Sequence, residues 1–86
     1  MTPAKARAEI RRAGVMRRVM FSPHARQRMA QRFVRPDDVY NAMEHHASCK
    51  AGDEPGRWKV VGPDIDGDEL TLIVVIEADV VVVTLF

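Results

Sequence analysis

The densest chemistry in the sequence is the run Ser22-Pro23-His24-Ala25-Arg26-Gln27-Arg28-Met29-Ala30-Gln31-Arg32. His24, with Arg28 one helical turn later and Arg32 a further turn on, has the types and spacing to hold a phosphodiester and move a proton at it. Imidazole serves as base or acid near neutrality. Guanidinium neutralises charge that develops on phosphate oxygens. Neither role needs a metal. Spacing alone favours a plainer reading, a solvated basic helix face. Trp58 and Lys59 begin a strand, where an aromatic ring beside a cation suits a stacked base and its phosphate. Core filling is the commoner use of a tryptophan. Thr84 is the one hydroxyl residue in the apolar terminal strand, either a site hydroxyl or a strand residue facing solvent. Tyr40 carries another hydroxyl, but its helical position favours packing.

Three other patterns carry less. His45-His46 with Cys49 has metal-binding residue types, but adjacent helical residues diverge by about 100° and no second cysteine exists. Asp64-Ile-Asp66-Gly67-Asp68-Glu69 places its glycine too early for a calcium loop and lacks the closing glutamate, so a hairpin turn explains it better. Cys49 has no activating neighbours, and acids flank its loop. No metal site is expected.

The whole chain of 86 residues has a formal net charge of +1, which hides a lopsided distribution. In residues 1–35, ten basic side chains against the single acid Glu9 give +9. In residues 36–86, three basic side chains against eleven acids give −8. Such asymmetry points to a polyanionic partner, unless the halves neutralise each other on folding. Nine of the first ten cations are arginines, whose planar fork suits phosphate. The length excludes a multidomain enzyme, and an apolar content of 47% argues against disorder. One cysteine excludes an internal disulfide framework and fits a reducing compartment. The polar, Arg-rich start lacks the apolar stretch of a signal peptide, and no apolar run approaches a membrane span. The expectation is a single cytoplasmic domain, residues 1–86.

The elements that must position these residues follow from caps and periodicity. Thr2-Pro3 opens a helix and Gly14 suits its end; its apolar face, Ala6, Ile10 and Ala13, is thin enough to predict loose docking. Residues 15–21 read as a short strand. Ser22 caps a second helix reaching Phe33 or Val34, with Ala25, Met29 and Phe33 as its buried stripe. His24, Arg28, Gln31 and Arg35 lie on a different side, and Arg32 falls between the two. Pro36 opens a third helix, with Asp37 and Asp38 complementing its dipole and Val39, Tyr40, Met43 and Ala47 as its apolar face. Ser48 to Gly56 reads as a polar loop. Strands are expected over 57–62, 70–76 and 80–86, with turns at Asp66-Gly67 and Ala78-Asp79. The run Leu72–Ile76 implies a strand covered on both faces or deep in the core. The fold class is therefore α+β, helices packed on one side of a twisted antiparallel sheet of three to four strands.

These residues also carry a family likeness. Phe21-Ser22-Pro-His24-Ala25-Arg26-Gln-Arg28-Met29-Ala-Gln-Arg32, then Pro36-Asp37-Asp38-Val39, Trp58-Lys59-Val60-Val61-Gly62, Gly67-Asp-Glu-Leu70 and Val83-Thr84-Leu-Phe86 resemble an uncharacterised bacterial domain family. That family is grouped with the RelE/ParE-like toxins and the barnase-like ribonucleases. The likeness covers about residues 19–86 and leaves residues 1–14 as a helical extension of a core over 15–86. It implies a RelE/barnase-like fold and a cofactor-free, toxin-like endoribonuclease in which the ribose 2′-hydroxyl attacks the adjacent phosphate. His24 would be the acid or base, Arg28 and Arg32 would hold phosphate, and Thr84 would add a polar contact. Arg26, Arg35, Trp58 and Lys59 would touch RNA. A small antitoxin protein is the implied partner. The alternative is an inactive RNA- or protein-binding module of the same fold. An exposed terminal strand would in addition invite pairing between copies.

Overall fold

The computed structural model describes all 86 residues. Helix α1 spans Pro3–Met16, with the Thr2 hydroxyl accepting from the Lys5 N–H at 3.2 Å. It runs past Gly14 and ends on Arg17, which is in the left-handed conformation at φ 56°. Gly14 serves a different purpose from the expected stop. It is buried against the third helix, where a β-carbon would lie 2.9 Å from both the Met43 Cβ and the Tyr40 carbonyl. The small residues Ala6, Ala13 and Gly14 let the two helices approach closely, and Ile10 is fully buried between them and the sheet. The thin face is therefore firmly docked.

Strand β1 is only Val19–Phe21, because Val15 and Met16 belong to α1. Helix α2 spans Pro23–Arg32, capped by the Ser22 hydroxyl accepting from the Ala25 N–H at 3.0 Å. It buries Ala25 and Met29. Phe33 does not complete that stripe. Its left-handed backbone (φ 56°) ends the helix and leaves the ring 91% exposed. Helix α3 spans Pro36–Glu44, with the Asp38 carboxylate accepting from the Arg35 N–H at 2.9 Å. It buries Val39, Ala42 and Met43. Tyr40 is half-buried beside Phe21, ring centroids 6.4 Å apart. Ala47, four residues after Met43, is exposed because the helix has already ended.

The sheet has five strands and is mixed, rather than three or four antiparallel ones. Ser48–Ala51 forms strand β2 instead of a loop, with Cys49 opposite Val60. Strands β3 (Arg57–Pro63), β4 (Glu69–Ile76) and β5 (Val80–Leu85) form the expected meander. The order is β1-β5-β4-β3-β2, and β1 joins β5 in parallel through Val19↔Val80 and Phe21↔Val82. Helices α1 and α3 cover one face, over a core that includes Val60, Leu72, Val74, Val82 and Leu85. Gly62 lies flush against α3, where a β-carbon would run into the Ala42 carbonyl. The strand Leu72–Ile76 is covered on one face only. Leu72 and Val74 point under the helices, while Ile73 and Val75 are half-buried on the open face. Register adds Val81, Thr84, Lys59, Lys50 and the exposed Met20 to that open face. No helix is long and apolar enough to cross a membrane.

Candidate functional site

Parallel pairing with β1 satisfies the outer edge of β5 only from Val80 to Val82. The start of α2 takes over from there. The Ser22 N–H donates to the Val82 carbonyl at 3.0 Å, and the Ser22 hydroxyl donates to the Val83 carbonyl at 2.6 Å. Two turns on, Arg28 Nε donates to the Leu85 carbonyl at 3.2 Å. Helix α2 is thus clipped along the sheet edge at both ends of the His24–Arg28 stretch. The clips use backbone groups that a bare edge would present to solvent.

His24 sits between the clips, one turn before Arg28 on the same helix face, exposed and without a hydrogen-bond partner in the chain. Arg28 is half-buried, and its tether uses only Nε, so both terminal nitrogens remain free to grip an anion. Arg32 and Arg26 are exposed. Thr84 precedes the residue that Arg28 binds and lies opposite Ile73, just past a bulge at Val83. The structure therefore brings the His24–Arg32 helix alongside the strand that carries Thr84. It does not keep Arg35 on that stripe, because the chain turns at Phe33 and Arg35 precedes α3. Trp58 and Lys59 lie on β3, separated from β5 by β4, and on opposite faces. Trp58 packs against the core, whereas Lys59 is exposed on the open face directly across from Lys50. The depressions beside α1, beside the 51–58 turn, between α1 and α3, and beside Gly62 are all lined by residues other than His24, Arg28, Arg32 and Thr84. His24, Arg28 and Arg32 form a ridge along α2, with Thr84 beside it.

The charge imbalance survives folding at contact distance. The Arg57–Glu54 ion pair and the His45–Glu44 contact both lie within residues 36–86. Among the first ten cations, Arg11 reaches the Glu44 carbonyl that ends α3 (3.2 Å) and Arg7 the Ala47 carbonyl three residues beyond it (3.4 Å). Arg17 lies over the Tyr40 ring, 5.9 Å from its centroid. Lys5, Arg12, Arg18, Arg26, Arg32 and Arg35 are exposed and pair with no carboxylate. Arg12 and Arg18 do share a depression with Glu9 and Asp79. Residues 23–35, by contrast, contain no acid at all.

No group of three or more His, Cys, Asp or Glu side chains is placed to hold a metal ion. His45 is exposed, while His46 is buried with Nδ1 2.7 Å from the Met43 carbonyl. Nδ1 therefore carries the proton, and Nε2 is buried without a partner. Burial holds the His46 pKa below its ordinary value against the opposing carbonyl bond, with Arg11 and Arg7 adding to the depression. Burial likewise pushes the Cys49 thiol up, opposed by Arg7, which makes it a poor nucleophile.

The clips and the exposure of Phe33 were absent from the sequence reading. A serine doubling as helix cap and strand-edge donor looks like any cap. A local signal for the break did exist, since a helix seldom continues through the residues just before Pro36. No curated protein and no solved structure matches the chain. The ridge and all five strands, apart from the first two residues of β1, fall within one recognisable unit: residues 21–86 match the profile of DUF4258, a domain of unknown function, and the chain belongs to that family.

Proposed function

We propose that this protein binds RNA along the α2 ridge and cleaves it without a metal, as a toxin-like endoribonuclease of the RelE/barnase-like kind. The observation that carries this reading is the Arg28 clip to Leu85, which fixes an acid-free His/Arg helix face alongside Thr84. In this mechanism His24 takes the proton from a ribose 2′-hydroxyl as that oxygen attacks phosphorus. The P–O5′ bond breaks, the 5′-oxygen takes a proton from water, and a 2′,3′-cyclic phosphate remains. Arg28, its orientation set through Nε, and Arg32 neutralise the charge gathering on the phosphorane oxygens. Thr84 contributes a hydroxyl contact, while Arg26 and Arg35 hold flanking phosphates. An antitoxin protein is the accompanying partner.

A second reading, an RNA-binding module without catalysis, is favoured by one feature. His24 is exposed to water and makes no hydrogen bond that would orient its ring. Incubating the protein with RNA in EDTA separates the two. Cleavage producing cyclic-phosphate ends, reduced about 100-fold or more by His24→Ala, supports the enzyme. Tight binding without cleavage selects the module, and cleavage indifferent to both His24→Ala and Arg28→Ala removes the site assignment.

A further inference from the structure

Two residues other than glycine adopt the left-handed conformation, Arg17 and Phe33, both at φ 56° and both ending a helix. Glycine fills such positions without steric cost, whereas a residue with a β-carbon is strained there. Arg17 has an internal return, because its guanidinium lies over the Tyr40 ring. Phe33 has none. Its ring is 91% exposed, it makes no aromatic pair, and no cation lies over it. The turn itself is useful, since it swings the half-buried Val34 onto the core, and the N–H groups of Phe33 and Val34 both reach the Met29 carbonyl. None of that requires a phenyl ring. A large apolar side chain is held in water on a strained backbone, and the exposed Arg32 and Arg35 flank it without ion pairs.

We propose that Phe33 is a stacking platform for an unpaired base of single-stranded RNA, with Arg32 and Arg35 holding the phosphates on either side. This rests on the RNA-binding reading above and adds a recognition element beyond the His24–Arg28 ridge. Stacking accepts any base through its π-face, and the guanidinium groups supply the sequence-independent backbone contacts. An acidic protein segment is the competing occupant of an exposed phenyl ring between arginines. The arginines on either side of Phe33 lie in a stretch, residues 23–35, that holds four arginines and no acidic residue to balance them, which favours the polyanionic backbone of a nucleic acid.

The test uses a fluorescein-labelled 12-nucleotide 2′-O-methyl oligoadenylate, which cannot be cleaved by 2′-hydroxyl attack, and an abasic oligomer of equal charge. The full chain is expected to bind the adenine oligomer about tenfold more tightly than the abasic one. Phe33→Leu should remove most of that preference, Phe33→Trp should keep it, and neither should change the weaker abasic binding. Thermal unfolding of each variant confirms that both fold. Wild-type preference that persists in Phe33→Leu overturns the platform while leaving RNA binding intact. Equal binding of both oligomers by the wild type also overturns it. Failure to bind either oligomer overturns the RNA reading as well.

Discussion

Helices α1 and α2 are both arginine-rich, yet the fold uses them differently. In α1, Arg11 reaches the Glu44 carbonyl that ends α3, where a cation complements the helix dipole, and Arg7 reaches the Ala47 carbonyl just beyond it. Glu9 and the nearby Asp79 temper Arg12 and Arg18. In α2, one guanidinium is a clip, and the others face water with no acid in residues 23–35. The first helix, outside the family match, is principally a packing element; the second, inside it, presents charge. Arginine content does not separate these roles. What each guanidinium finds within reach does.

Variants can break that division, beginning with the largest effect. Ile10→Ala removes a fully buried side chain between α1 and the core and should cost about 3 kcal/mol, read by urea unfolding. RNA affinity of the folded protein should stay unchanged, and a parallel loss of affinity would bring α1 into the binding surface. Ser22→Ala deletes both the α2 cap and the bond to the Val83 carbonyl, at a cost of about 1–2 kcal/mol. Unlike Ile10→Ala, it should also impair RNA cleavage, because α2 loses its registration on β5.

A smaller effect concerns the buried His46. The folded His46 pKa lies below the ordinary 6.5, so the unfolded chain takes up the proton first as pH falls. Stability contributed by neutral His46 is present above about pH 6.5 and declines below it. Arg7 and Arg11, which face the ring from α1, sharpen the decline. Denaturation midpoints measured between pH 7.5 and 5 should fall, and His46→Gln should flatten the slope.

Elements signalled by local chemistry were legible in the sequence. Caps at Thr2 and Ser22, Pro36 at the start of α3 and the Asp66-Gly67 turn placed three helices and the β3–β5 meander. Features set by distant partners were not. Gly14 looked like a stop because glycine ends helices more often than it seats a crossing one. Ser48–Ala51 has none of the β-branched residues that mark a strand, and becomes one only because β3 offers it an edge. The β1–β5 pairing joins residues 61 apart, beyond any periodicity. At the site, His24 and Arg28 were visible as a helical stripe, but extending it to Arg35 failed at Phe33. The i, i+4 rule that placed Ala25 and Met29 inside cannot see a left-handed turn.

The salt dependence of RNA binding tests the central claim most directly, since each phosphate contact releases counterions. Binding of the 12-nucleotide oligomer is measured from 50 to 300 mM salt for the wild type, an Arg7→Gln/Arg11→Gln pair and an Arg26→Gln/Arg32→Gln/Arg35→Gln triple. Glutamine retains a donor for the Glu44 and Ala47 carbonyls. The triple should lower the slope of log K against log salt by about 2, at roughly 0.7 per contact, while the pair leaves it unchanged. An unchanged slope in the triple, or an equal fall in the pair, would contradict the assignment of the phosphate-binding face to α2 and the turn that follows it.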